Sequence, residues 1–369
     1  MLNFQHIHPR QDFFLPYFFT FYLSVSLIRF LNPANFFITS SLVSLGIVPL
    51  FLFFNFKKFK FYNLFFIFLI LAGLISSLYV VRHERIYHMI FFNLMSLGIL
   101  LLFEHKLIFH KHMMFIFICL CLYFLSIMFS LKDPVYALKV CSGNGISIML
   151  IITTISLYIS RYVSEKEILI WPAFSNFLIC FWAGGRSGFF SSIIILIGIC
   201  YLCIRNKKIF LWNLILLSMI MLFFSLVFFD YLKHVYFFKA LFERFDTHSL
   251  INDPRLQIWS NYFNNLDLSR FIFGVNFKRD PWPGGEILNF DYHNSFINLV
   301  AQTGLFGFFI FLLTSYSLNY YLRKNLLYFI LFLALIFRAL TDSFIFFESW
   351  DFLFFFFLLV PLKSLVVKN

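Results

Sequence analysis

The sequence predicts an all-α integral membrane protein: a polytopic bundle of about 12 transmembrane helices with one long, partly helical outer loop. Three observations carry this expectation. Of the 369 residues, 61% are hydrophobic and 12% charged, with a mean hydropathy of +0.86, whereas soluble domains are about a quarter charged. Apolar runs recur along the whole chain, each close to the ~20 residues that a helix needs to cross hydrocarbon. The runs are continuous, unlike the roughly ten-residue alternating segments of a membrane β-barrel.

In chain order the expected spans are 13–31, 35–55, 62–81, 86–103, 113–131, 145–160, 168–182, 188–204, 209–229, 295–318, 326–341 and 344–362. The opening MLNFQHIHPRQD lacks a small-residue cleavage site, so the first run is expected to remain as a span. Residues 1–369 read as a single membrane domain without internal repeats, interrupted by one large loop at 230–293. The 61 phenylalanines suggest a Phe-rich surface toward lipid.

Basic residues set the orientation. Assigned to alternate sides, Arg10, Lys57, Lys58, Lys60, Lys106, Lys111, Arg161, Lys166, Arg205, Lys207, Lys208, Arg323, Lys324, Lys363 and Lys368 fall together. The short connections on the other side hold only Arg29, Arg82, Arg85, Lys132, Lys139, Arg186 and Arg338. Positive charge accumulates inside, so both termini are expected in the cytoplasm and the long loop outside. The formal net charge of +12 then reads as orientation and attraction to anionic membrane lipids. The basic residues form no single patch, so nothing suggests a nucleic-acid partner. The pair Cys200 and Cys203 has redox or metal spacing, but no second pair lies near it, and all six cysteines read as helix packing.

Within the loop, Val235, Phe238, Phe242 and Phe245 share one face of a possible interfacial helix over 234–245. In INDPRLQIWSNYF, Asp253 is placed as a cap and Pro254 as a first-turn residue of a second helix. A loop of this length with its own helices is usually functional.

Three groups on the outer side stand out as candidate catalytic residues: Arg186 in AGGRSGFF, Arg255 in the loop, and His293 where the chain re-enters the membrane. Two guanidiniums suit bidentate contact with a pyrophosphate. A histidine suits proton transfer from an attacking hydroxyl. Gly184, Gly185 and Gly188 are expected to let a ligand approach Arg186 closely. Taken singly, each group also has a plain reading: a snorkelling loop charge, a helix-surface charge or an interfacial polar residue.

His293 and Asn294, followed after nine residues by Gly304 and Gly307, fit the pattern H-[N/S/Q]-x9-G-x-x-G. That pattern resembles the signature of the O-antigen polymerase/O-antigen ligase superfamily. The Gly/Ser-flanked Arg186, the long loop before the motif, and Arg255 shortly before Trp259 are similar to family features, so the likeness covers residues 140–345. The resemblance implies a metal-independent, inverting glycosyltransferase of a bacterial inner membrane, with no cofactor and a periplasmic site. The implied donor is an undecaprenyl-pyrophosphate-linked glycan. The acceptor glycan is a lipid-linked repeat unit for a polymerase or the lipid A-core for a ligase, and a chain-length regulator is a further partner compatible with the family.

Carried over residue by residue, Arg186 and Arg255 would bind the pyrophosphate and His293 would activate or orient the acceptor hydroxyl. Asn294 would fix the loop–helix junction, and Gly304 and Gly307 would allow close helix contact. Asn294, Trp259 and Arg338 are the candidate substrate-binding residues, Arg338 being either a substrate contact or half of a salt bridge with Asp342. Tyr292, Trp259 and Trp282 are candidates for stacking on sugars, and Asp291 for orienting His293. The polymerase reading is preferred to the ligase by analogy alone. A lipid-linked glycan flippase is the competing class, though the two halves look unlike and polar residues gather at one face rather than the midplane.

Overall fold

The computed structural model describes residues 15–31, 36–53, 83–104, 108–129, 143–205, 254–275, 292–346 and 348–366, and every regular element among them is helical. In order these are α1 (Leu15–Leu31), α2 (Phe36–Ser44) joined through a 3-10 turn (Leu45–Ile47) to α3 (Val48–Phe53), α4 (His83–Glu104), α5 (His110–Phe129), α6 (Gly143–Val163), α7 (Trp171–Trp182) and α8 (Arg186–Arg205). Then follow α9 (Pro254–Asn264), α10 (Leu268–Phe273), α11 (Ser295–Thr303), α12 (Leu305–Lys324), α13 (Leu326–Thr341) and α14 (Asp351–Val366). Four stretches, within α5, α6, α8 and α12, are long and apolar enough to cross a membrane among the described residues. The chain is a helical membrane protein. The expected spans 62–81 and 209–229 and the expected helix at 234–245 lie outside the described residues.

The centre of the bundle is α6. Buried inside the protein is 89% of its apolar window, against 33% for α5 and α8 and 28% for α12, so α6 is a core helix and the others face lipid along much of their length. Two of its buried hydroxyls are satisfied within the helix: Thr153 donates to the Met149 carbonyl at 2.7 Å and Thr154 to that of Leu150 at 2.6 Å. Phenylalanine serves the interior as well as the lipid face. Phe352, Phe354, Phe355 and Phe357 of α14 are fully buried, and Phe332 of α13 stacks on Phe357 with centroids 4.9 Å apart.

Two groups of helix ends are defined by side-chain bonds. Arg338 near the end of α13 donates to Ser187 at the start of α8 and to the Asn144 carbonyl at the start of α6. At the opposite end Arg161 donates from Nε to the Glu167 carbonyl at 2.8 Å, Cys203 to that of Ile168 at 3.6 Å, and Tyr162 meets Tyr328 at 5.0 Å. Arg161, Lys166, Arg205, Arg323 and Lys324 thus share one end, and Arg186 and Arg338 the other.

Two expected spans are altered. The run 295–318 is not one helix: Gly304, at φ +59°, ends α11 and starts α12. The run 344–362 becomes helical only at Asp351, because residues 342–346 and 348–350 form an irregular, largely buried strap after α13. Irregular backbone at this depth survives only with internal partners. Ser295 accepts from the Phe344 amide at 3.1 Å, and Asp351 accepts from the amides of Phe346 at 2.8 Å and Glu348 at 3.0 Å. Tyr22 of α1 donates to the Ser349 carbonyl at 2.7 Å, tying the strap to the N-terminal helices.

Candidate active site

The candidate residues are organised by the last turn of α13, whose carbonyls would otherwise be left without intrahelical donors. Pro254 opens α9 in the manner expected for a first-turn proline. From the next position, Arg255 reaches across to donate from Nη1 to the Thr341 carbonyl at 2.6 Å. One face of α9 lies against the segment that leads into α11. Ile258 and Tyr262 pack with Tyr292, Ile297 and Ala301 in a small apolar cluster, the rings of Tyr262 and Tyr292 being 4.9 Å apart. Trp259 donates its indole N–H to the Tyr292 carbonyl at 2.8 Å.

Asn294 caps α11. Its Oδ1 accepts from the amides of Phe296 and Ile297 at 2.9 and 3.0 Å, while Nδ2 donates to the Leu340 carbonyl at 2.8 Å. Ser295 donates to the Asp342 carbonyl at 2.8 Å, and Asn298 links the Tyr292 amide to the Ser343 hydroxyl. His293, immediately before this cap, is half-buried with φ +50°, a left-handed conformation that histidine adopts more readily than most residues but at a cost.

Arg186 opens α8 and is half-buried. Its neighbour Ser187 accepts from Arg338, which is completely buried, pairs with Asp342 at 2.8 Å and lies 5.6 Å from the ring of Phe344. Arg255 is therefore joined to the end of α13 directly, His293 through Asn294, and Arg186 through Ser187 and Arg338. Three helix N-termini, those of α6, α8 and α11, meet at this end. Their positive dipole ends, added to the guanidiniums, suit an anionic ligand.

Several sequence expectations place differently. Arg338 has no exposed surface and Asn294 is 5% exposed with both ends of its amide occupied inside the protein. Tyr292 is 3% exposed and packed in the small cluster, so its ring offers no open face for a sugar. A side chain on Gly185 or Gly188 would strike Asn144 or Ser147 of α6, so these glycines seat a neighbouring helix rather than a ligand. Gly304 likewise approaches the loop helix α10, at the Ile272 carbonyl, and Gly307 approaches Val300 across the α11–α12 break. Asp253, Trp282 and Asp291 lie outside the described residues. The connecting residues Ser187, Ser295, Asn298 and Ser343 were not singled out from sequence. Their only signal there is small polar residues at the ends of apolar runs.

The fold and site define a polytopic membrane protein with a cationic cluster and a histidine gathered at one end of its bundle. Residues 171–312 match the family model described as O-antigen ligase, so this stretch of the chain is similar to that family. The matched stretch contains Arg186, Arg255, His293, Gly304 and Gly307. No curated protein and no solved structure matches the chain.

Proposed function

We propose that the chain is a repeat-unit polymerase that transfers an undecaprenyl-pyrophosphate-linked glycan to a sugar hydroxyl at the periplasmic face of the bacterial inner membrane. In this reading Arg186 and Arg255 hold the pyrophosphate and stabilise the charge that develops as it leaves. The acceptor oxygen attacks the anomeric carbon, a new C–O bond forms with inversion, and the bond to the pyrophosphate oxygen breaks. His293 takes the hydroxyl proton, and the lipid pyrophosphate departs with the electron pair. No metal is required, because the two guanidiniums supply the positive charge. Asn294 and Arg338 act from behind this surface, and Trp259 lies beside it.

The observation that carries the proposal is the convergence of Arg255 and Asn294 on the last turn of α13, from which Arg338 reaches Ser187 beside Arg186. It groups Arg186, Arg255 and His293, which are far apart in sequence, at one bundle end. The positive-inside count supports placing that end outside. The test is the surface-glycan ladder of a deletion strain complemented with wild type, Arg186→Ala, Arg255→Ala or His293→Ala at matched protein levels. Loss of the ladder with one repeat still on the core supports the polymerase. Loss of all surface glycan with lipid-linked chains accumulating supports the ligase instead. Full-length glycan from all three variants refutes the site and favours a flippase.

A further inference from the structure

His293 holds φ +50°, and a non-glycine residue persists in that region only where its surroundings over-determine the backbone. Its two chain neighbours supply the constraint. Downstream, Asn294 caps α11 and donates to the Leu340 carbonyl. Upstream, both polar groups of the Tyr292 backbone are held by side chains: the carbonyl accepts from the Trp259 indole at 2.8 Å, and the amide donates to Oδ1 of Asn298 at 3.0 Å. Asn298 lies one turn beyond Asn294, to whose carbonyl its own amide donates at 2.9 Å. One helical turn therefore grips the chain on both sides of the histidine. We propose that Asn298, anchored by Ser343, is a positioning residue for the proton transfer assigned to His293: by fixing the Tyr292 amide it sets where the imidazole is presented. The inference rests on the glycosyl-transfer reading above and adds to it a residue that acts through another.

Three features support this role. The side-chain chemistry is specific, because Asn298 uses its amide in both senses. A backbone N–H can only donate, so Oδ1 must face Tyr292, and Nδ2 is then the group that donates to the Ser343 hydroxyl at 2.6 Å. With both ends occupied, the side chain is held in one orientation. Next, the anchor leads to the other half of the site. The Ser343 amide donates to Oδ1 of Asp342 at 2.9 Å, Oδ2 of Asp342 accepts from Arg338 at 2.8 Å, and Arg338 donates to Ser187, the neighbour of Arg186. An unbroken run of hydrogen bonds thus joins the segment carrying the histidine to the frame that seats the arginine. Relative placement of these two groups is what the transfer depends on, and a misplacement of about 1 Å costs on the order of 10²-fold in rate. Finally, α11 does not need Asn298 in order to start. Asn294 already accepts from the amides of Phe296 and Ile297, so the bond to Tyr292 constrains the approach to the helix rather than the helix itself.

The test is a double-mutant cycle in full-length protein reconstituted in phosphatidylethanolamine/phosphatidylglycerol vesicles. Turnover of a purified undecaprenyl-pyrophosphate-linked repeat unit is measured per folded molecule for wild type, Asn298→Ala, His293→Ala and the double variant. Asn298→Ala is expected to lower kcat by roughly 10–10²-fold with little change in the KM for the donor. The double variant should be no slower than His293→Ala alone, since a positioning residue has nothing to act on once the histidine is gone. Ser343→Ala removes the anchor and leaves Asn298 in place. It should show a smaller loss of kcat that likewise vanishes without His293, and it carries the test should Asn298→Ala fail to fold. Unchanged turnover per folded molecule in the Asn298 and Ser343 variants overturns the inference in favour of a purely structural role. Losses that multiply in the double variant overturn it too, because they assign Asn298 an effect independent of His293. Wild-type turnover from His293→Ala refutes the catalytic reading of the histidine itself, and the inference with it, so the two failures are told apart.

Discussion

The guanidinium of Arg255 donates to the Thr341 carbonyl at 2.6 Å, across 86 residues of sequence. This bond fastens the loop helix α9 to the end of α13, and it is one of the ties that place a loop cation over the helix bundle. Arg255→Lys retains charge but loses the fork geometry that serves a carbonyl and a phosphate together. Transfer activity is expected to fall by roughly 10²-fold for lysine and at least as far for alanine. Rates with purified lipid-linked donor, at equal amounts of folded protein, check this. A lysine variant with wild-type rates refutes it.

Arg338 and Asp342 form a buried pair, with side-chain exposures of 0% and 13%. Removing one partner strands the other, so Arg338→Met should cost about 3–5 kcal/mol and Asp342→Leu a similar amount. The double variant leaves neither charge and should recover most of that loss. Thermal unfolding in detergent reads the cycle, and additive single effects would contradict it. Arg338→Met should also lower transfer, because Ser187, next to Arg186, loses its donor.

His293 holds φ +50° one residue before the cap of α11. For a non-glycine residue that conformation costs about 1–2 kcal/mol, and glycine would release the strain. His293→Gly should therefore unfold at a temperature no lower than wild type, while transfer falls by roughly 10²–10⁴-fold for want of a proton acceptor. A marked loss of stability would show that the imidazole is structural.

How far these relationships were legible in sequence depends on the physics behind each. Hydropathy over twenty-residue windows does not depend on tertiary contacts, so the bounds of α13 agree with expectation and those of α6 and α8 nearly so. The motif at His293 was readable because it is local. What hydropathy cannot see is backbone geometry inside an apolar run. Leu305 to Leu312 looks the same whether Gly304 continues a helix or breaks it, and Phe344 to Phe346 are as apolar in a strap as in a span. The deciding partners, the Ile272 carbonyl for Gly304 and Ser295 and Asp351 for the strap, are distant or polar and silent in a hydropathy trace. Arg338 was visible as an intramembrane charge, but its burial against Ser187 and Asn144 required the packing of three helices.

Gly304 combines φ +59° with a neighbour that a side chain would overlap, since an added Cβ would run into the Ile272 carbonyl oxygen. Gly304→Ala carries both the left-handed penalty and the clash, so it should destabilise by about 2 kcal/mol or more. Gly307 has helical φ, and an added Cβ there would meet the Thr303 hydroxyl and the Val300 backbone at 2.8 Å, a shallower overlap without the left-handed penalty, so Gly307→Ala should be milder. Comparison of unfolding temperatures decides the ranking, and the reverse order would mean that the α11–α12 break does not govern the packing.

Tyr262 is 7% exposed, and its hydroxyl has no hydrogen-bond partner among the described residues. Burial pushes this hydroxyl up to about 12, so the neutral form is favoured in the folded protein over the ionised one. The sign follows from linkage: the raised value contributes stability that is fully present below the ordinary phenol range near pH 10 and is lost as pH climbs through about 12. Tyr262→Phe keeps the ring against Tyr292 and removes a polar group that is buried unpaired. The variant should be stabilised by about 1 kcal/mol at neutral pH and should lose less stability between pH 10 and 12 than wild type. Unfolding temperatures at neutral and alkaline pH test both parts, and a destabilised phenylalanine variant would mean that the hydroxyl has a partner in the folded protein.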